Sequence, residues 1–279
     1  MKLPSVGPES RAFQLTTALL AGAVAMSVAG TAMLLHFPAA VARAGLLLPW
    51  LMKIPTWVYM AALPLLVFLL YAPTRSFRRS VFFVVWGGAV GLGAELLGTS
   101  TGIPFGGYGY TEFLGPKILG LVPYLIPLSW FAMSSLALDL AGQLGLDRPK
   151  RILVTALYMV CWDLALDPAM GHGFPVWQWA EPAAGFYGMP AQNLIGWFLT
   201  GAAIAWGYEI LGGGLKPTAS SWPVRLWILS AVLPIGISLV RGMIPAVIVG
   251  GLAVVVPVVA VALRRTGGVG RVAGSVAGG

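Results

Sequence analysis

Long apolar blocks separated by short polar clusters set the first expectation for this chain. Eight blocks stand out, over residues 13–36, 54–72, 80–98, 118–141, 152–170, 191–211, 224–240 and 243–263. Each approaches the ~20 residues a helix needs to cross ~30 Å of hydrocarbon. The pattern therefore predicts an all-α, polytopic transmembrane bundle of about eight spans. The seventh block is the weakest, being short and followed by Arg241-Gly242. Residues 38–53, PAAVARAGLLLPWLMK, are too broken for a span and are expected to lie at the interface.

Composition agrees that lipid is the solvent. Of 279 residues, 58% are hydrophobic and 9% charged, against roughly 25% charged in soluble domains. The net charge of +8 does not point to nucleic acid, because the basic residues form small clusters between apolar blocks. With both termini in the cytoplasm, the inner segments hold Lys2, Arg11, Arg75, Arg78, Arg79, Arg148, Lys150, Arg151, Lys216, Arg225, Arg264, Arg265 and Arg271. That is 13 of the 17 basic residues; Arg43, Lys53, Lys117 and Arg241 fall outside. This bias is the positive-inside pattern, and an odd span count would spoil it. Residues 1–279 read as one transmembrane domain, multi-pass in the cell membrane, with 264–279 as a flexible tail. The first apolar block lacks a clear cleavage site and reads as the first helix. Gly87 and Gly91 make a small-residue face for close helix packing, and Pro123, Pro127 and Pro234 are expected to kink their helices.

An ionisable group near the centre of a span costs at least ~2.5 kcal/mol, so each of the nine acidic residues can be judged. Glu9, Asp147 and Glu181 lie in polar segments. Glu112 sits in a loop and reads as solvated. Asp139 and Glu209 fall near inner ends of spans, where interfacial placement or pairing with nearby Lys or Arg suffices. Glu95, in GLGAELLGTS, and Asp163 and Asp167, in CWDLALDPAM, lie toward the outer ends of spans three and five. The i, i+4 spacing of the two aspartates puts them on one helix face. Two buried neighbouring carboxylates repel, so at least one is expected to keep its proton, and an acid beside a carboxylate suits general acid–base chemistry. The alternative is helix–helix hydrogen bonding.

Two outer loops favour the chemical reading. The segments TSTGIPFGGYGYTEFLGPK (99–117) and GHGFPVWQWAEPAAGFYGMP (171–190) are rich in glycine and aromatic residues, and span six opens with Gln192 and Asn193. All converge on one end of the bundle, although an aromatic belt accounts for some of the Trp and Tyr. Other motifs fail. GYG lacks the rest of a potassium filter, no phosphate loop, GxSxG or HExxH exists, and His36 and His172 are too few for a histidine-rich metal site. His172 follows the aspartates closely enough to join them. The single cysteine, Cys161, reads as a packing residue.

Four stretches then carry a resemblance: EllGTsTGiPFGgYgY at 95–110, DlalDP at 163–168, WqW at 177–179 and FYGMPaqNliGWfltG at 186–201. Together they resemble the integral-membrane carotenoid hydratases, over roughly residues 80–205. The resemblance implies addition of water across the terminal double bond of an acyclic ψ-end, without cofactor or metal. It implies Glu95, Asp163 and Asp167 as acid and base, with the assignment between them open. It implies Thr101, Phe105, Tyr108, Tyr110, Trp177, Trp179, Tyr187 and Asn193 as substrate-binding residues. A carotenoid and the bilayer are the expected partners, with other carotenoid-pathway membrane enzymes as candidates. Two rivals stand beside it. The Asp163-x-x-x-Asp167 spacing resembles half of a magnesium-dependent prenyltransferase site, but a second motif and nearby basic residues are missing. A proton-coupled transporter would use the acids as a relay, yet spans three and five have no clear counterparts.

Overall fold

The computed structural model describes residues 7–74, 76–181, 186–218 and 220–276. Lys2, Arg75 and residues 277–279 of the expected tail lie outside them, as do 182–185 of the second aromatic loop. Among the described residues the chain runs α1 (Arg11–His36), α2 (Pro38–Ala44), α3 (Leu48–Tyr71), α4 (Phe77–Thr101), β1 (Tyr108–Tyr110), β2 (Lys117–Ile118), β3 (Val122–Pro123) and α5 (Ile126–Gly142). It continues through α6 (Arg148–Asp167), β4 (Trp177–Trp179), α7 (Ala191–Ile210), α8 (Trp222–Val240) and α9 (Ile244–Val276). This is an all-α membrane bundle with two small strand pairs at one end.

Polar residues punctuate the helices where the backbone needs them. Ser10, Ser76 and Asp147 cap α1, α4 and α6, each accepting from a backbone N–H three residues on. Pro149 sits in the first turn of α6, where its missing N–H costs nothing. The same rule explains the largest differences from the sequence pattern. Residues 38–53, too broken in sequence for a span, are helical, and 41–53 run on into the apolar helix that ends at Tyr71. Pro38 opens α2, Gly45 turns the corner at φ 48°, and Pro49 lies in the first turn of α3. Residues 118–125 do not begin a span. Leu119 and Gly120, at φ 51° and 72°, turn β2 back onto β3, a geometry suited to a tight hairpin. The helix starts only at Ile126. Pro123 therefore lies in a strand and Pro127 in a first turn, and of the three named prolines only Pro234 sits inside a helix.

Among the described residues six helices are long and apolar enough to cross a membrane: α1, α3 with the end of α2, α4, α6 with the turn after it, α8 and α9. α5 and α7 complete the eight expected segments. α5 has 17 residues and is buried throughout Trp130–Gly142. It packs against α3, α4, α6 and α8 at the centre of the bundle, so protein rather than lipid satisfies it. α7 carries Gln192, Asn193 and Glu209, which lower its apolar content. α9 continues to Val276 through most of the expected tail. Arg265 anchors its lower part by donating to Gln143 Oε1 at 2.8 Å and to the Ser220 carbonyl at 3.3 Å.

The inner acids have local partners. Glu209, 1% exposed, pairs with Arg151 at 2.6 Å, and Arg148 lies 3.7 Å away. Asp139 accepts from Gln143 Nε2 at 2.7 Å and from the Thr218 N–H at 3.2 Å. Glu112 is an exposed partner of Lys117 at 2.6 Å, and that ammonium holds its carboxyl below the usual range.

Gly87 and Gly91 do mark a close approach. A Cβ on Gly87 would stand 2.1 Å from Tyr208 Oη, and one on Gly91 would stand 2.4 Å from Trp130 Cγ. Gly93, two positions on, faces open space. Gly87→Val is expected to lower stability by about 1–3 kcal/mol through overpacking. Gly93→Ala should stay within about 0.5 kcal/mol of the parent. Thermal unfolding of the detergent-solubilised variants checks the contrast.

Candidate active site

The two aromatic loops meet as a two-stranded ribbon. β1 pairs antiparallel with β4, in the register Tyr108↔Trp179, Gly109↔Gln178 and Tyr110↔Trp177. Side chains alternate between the faces of a strand. Gly109 and Gln178 therefore point out and are exposed, while the four aromatic residues share the inner face. Tyr108 and Trp179 lie 5.4 Å apart between ring centroids, and Tyr110 and Trp177 lie 6.1 Å apart.

Beneath this ribbon sit the three acids of the outer end. Glu95, Asp163 and Asp167 are 6%, 0% and 3% exposed. Glu95 is held by three donors. Trp130 Nε1 donates to Oε1 at 2.9 Å, Tyr110 donates to Oε2 at 2.8 Å, and Tyr108 also donates to Oε2. Asp167 accepts from Trp177 Nε1 at 2.9 Å through Oδ1. Asp163 accepts from Asn193 Nδ2 at 2.7 Å through Oδ2. Asp163 Oδ1, Asp167 Oδ2 and Trp179 Nε1 are buried without a hydrogen-bond partner among the described residues. An unpaired buried polar atom is costly, and two of the three, Asp167 Oδ2 and Trp179 Nε1, belong to residues that line one cavity. Burial, reinforced by the Glu95 carboxyl, holds the Tyr108 and Tyr110 phenols well above the tyrosine range. Both remain O–H donors.

Glu95 and Asp167 line one small cavity together with Phe105, Tyr108, Tyr110, Trp177, Trp179, Asn193 and Trp197. Its volume is about 30 Å³, enough for one or two waters. Asp163, one helical turn before Asp167 on α6, does not line this cavity. Trp177 and Trp197 also line a second cavity of about 70 Å³, almost wholly apolar, whose walls come from α3, α5, α6 and α8. A polar pocket fit for water thus adjoins an apolar slot fit for hydrocarbon.

Six of the eight expected binding residues are gathered here: Phe105, Tyr108, Tyr110, Trp177, Trp179 and Asn193. Phe105 wedges between α4 and α7, where a Cβ on Gly98 or Gly196 would come within 2.7 Å or 2.4 Å of its ring. Thr101 is not in the pocket. It is exposed and bonds to the Leu97 carbonyl at 2.7 Å, closing the last turn of α4. Tyr187 lies aside as well, its ring 5.5 Å from that of exposed His172, and His172 does not join the aspartates. Cys161 is half-buried in α6. Trp130 and Trp197 were not expected. Trp197 follows Asn193 by one helical turn, which was a usable signal, whereas Trp130, in an apolar stretch nine residues before Asp139, offered none. Among the described residues no group of three or more His, Cys, Asp or Glu is arranged to hold a metal ion.

A family profile described as "Carotenoid biosynthesis protein" matches residues 55–257. The bisanhydrobacterioruberin hydratase of Haloarcula japonica is 34% identical over 141 residues, which is 48% of this chain and 47% of that protein. The match thus spans about half the length of this relative. No solved structure matches.

A hydrogen bond to a charged group is worth about 1.5–3 kcal/mol. Trp130→Phe and Tyr110→Phe are each expected to lower turnover by about 10- to 150-fold while the protein still accumulates in membranes. Initial rates per milligram of inserted protein measure this.

Proposed function

The chain belongs to the carotenoid biosynthesis protein family, and we propose that it is a hydratase adding water to the terminal double bond of an acyclic ψ-end. The observation that carries this reading is the adjacency of two cavities with opposite character. One is polar, water-sized and lined by Glu95 and Asp167; the other is apolar and shares two tryptophans with it. The hydratase name of the Haloarcula japonica relative points the same way.

The terminal alkene is unactivated, so a carboxylic acid must protonate it. Asp167 is the donor in this reading, because Oδ2 is buried, unpaired and on a residue that lines the pocket. Its proton goes to the less substituted alkene carbon, and the π electrons form the new C–H bond. A tertiary cation remains on the neighbouring carbon. The faces of Trp177, Trp197 and Tyr108 stabilise that cation, and Glu95, fixed by its three donors, supplies a negative counter-charge. Water bonds to the cationic carbon and passes one proton to the Asp167 carboxylate. Alkene and water are consumed, a tertiary alcohol forms, and Asp167 regains its proton. Trp179 Nε1, an unpaired donor at the same cavity, orients the water. Asp163 is a positioning residue, acting on Asp167 from one helical turn before it while Asn193 holds it.

Expression in a host that accumulates lycopene or γ-carotene should yield pigments heavier by one water per reacted end. Asp167→Asn is expected to cut formation about 10²- to 10⁴-fold, and Asp163→Asn to lower it less. Unchanged pigments with every acyclic-ended carotenoid would count against hydration. Wild-type turnover in both Asn variants would remove the acid–base assignment and leave the activity standing.

A further inference from the structure

The apolar slot does not stop at the acid pocket's wall. It shares Thr56, Met170 and Leu233 with a third cavity of about 10 Å³. That cavity is bounded by Met26, Ser27 and Thr31 of α1, Leu51 and Met52 of α3, and Ile237 of α8. Met26 and Leu51 are 58% and 53% exposed, so this end opens on the bundle surface. Three voids therefore follow one another from beneath the ribbon, between α3, α5, α6 and α8, to a mouth on the α1 side. The neighbours share residues at each junction, so the three lie in one row, a candidate path closed at two constrictions.

The path has a distinctive lining. Met26, Met52, Met60, Met133, Met159 and Met170 all line it, six of the ten methionines in the chain. Methionine is unbranched and adapts its shape to what it packs against. A lining of this kind can yield along its length to a slender apolar rod while staying closed around nothing.

We propose that this path seats the conjugated chain of the substrate. The end group being hydrated lies under the ribbon, the polyene runs through the methionine-lined slot, and the far end emerges into lipid beside α1, α3 and α8. The inference rests on the hydratase reading for the direction of threading. It adds that the substrate enters end-first and that one end reacts per visit. A molecule with two ψ-ends must leave and reverse before the second is hydrated. The far end is left unread, so its ring or hydroxyl matters little, whereas bulk in the middle of the chain is excluded.

Two experiments test this. Thr56→Phe on α3 and Leu233→Phe on α8 narrow the mouth-side constriction, between the slot and the third cavity. Turnover of a full-length ψ-ended carotenoid should fall about tenfold or more relative to turnover of a short acyclic terpenoid with the same terminal group. Equal losses on both substrates in both variants would overturn the path while leaving the hydratase reading intact. Hydration of neither substrate by the parent protein would instead sink that reading. The second experiment uses the parent protein alone, so it does not depend on how the variants fold. A ψ-ended polyene with a photoreactive diazirine at its far end should label Met26, Leu51 or Met52. Labelling confined to α4 or α7 would overturn the path.

Discussion

A carboxyl group inside an apolar bundle must find hydrogen bonds from protein, and the outer end of this molecule is organised around that requirement. Glu95 on α4 draws its donors from α5 and from both tyrosines of β1. Asp167 on α6 draws one from β4, and Asp163 draws one from α7. Because β1 and β4 pair with each other, these bonds tie four helices and the ribbon into one unit. The ribbon is too short to stand alone; it is held by what its inner face satisfies.

Glu209 is held differently from the outer acids. At the inner end Glu209 is paired with Arg151, a fixed cation that neutralises it. At the outer end the donors are indole, phenol and amide groups, which orient a carboxyl without supplying a full positive charge. Lys117, a basic side chain of the outer loops, is turned to Glu112 and the Tyr110 carbonyl. An acid held by neutral donors keeps the freedom to gain and lose a proton. That contrast sets Glu95, Asp163 and Asp167 apart from the ion-paired Glu209.

Much of this was legible in the sequence. Periodic apolar blocks and basic clusters gave the helical segments, and the cost of burying acids singled out Glu95, Asp163 and Asp167. The aromatic loops were read as converging on the same end as these acids, where β1 and β4 pair. What the sequence did not disclose depends on contacts between distant segments. The alternation in Tyr108-Gly109-Tyr110 and Trp177-Gln178-Trp179 is a strand signal only three residues long, and its meaning appears when the two runs pair. Trp130 is indistinguishable from a packing residue until Glu95 faces it. Thr101 looked like a ligand because it adjoins the motif, but its hydroxyl is consumed by the helix end. The span assigned to 118–141 began late because apolar content hid a hairpin turn at Leu119-Gly120.

The order of residues along the chain has a consequence for biogenesis. Glu95 is made before Tyr108, Tyr110 and Trp130, Asp163 before Asn193, and Asp167 before Trp177. Every outer acid thus enters the translocation machinery ahead of all the groups that will satisfy it. Trp130 trails Glu95 by 35 residues and Asn193 trails Asp163 by 30. Released into lipid alone, α4 or α6 would carry these carboxyls without their donors, at a cost of about 2.5–3.5 kcal/mol for each acid near the centre of a span.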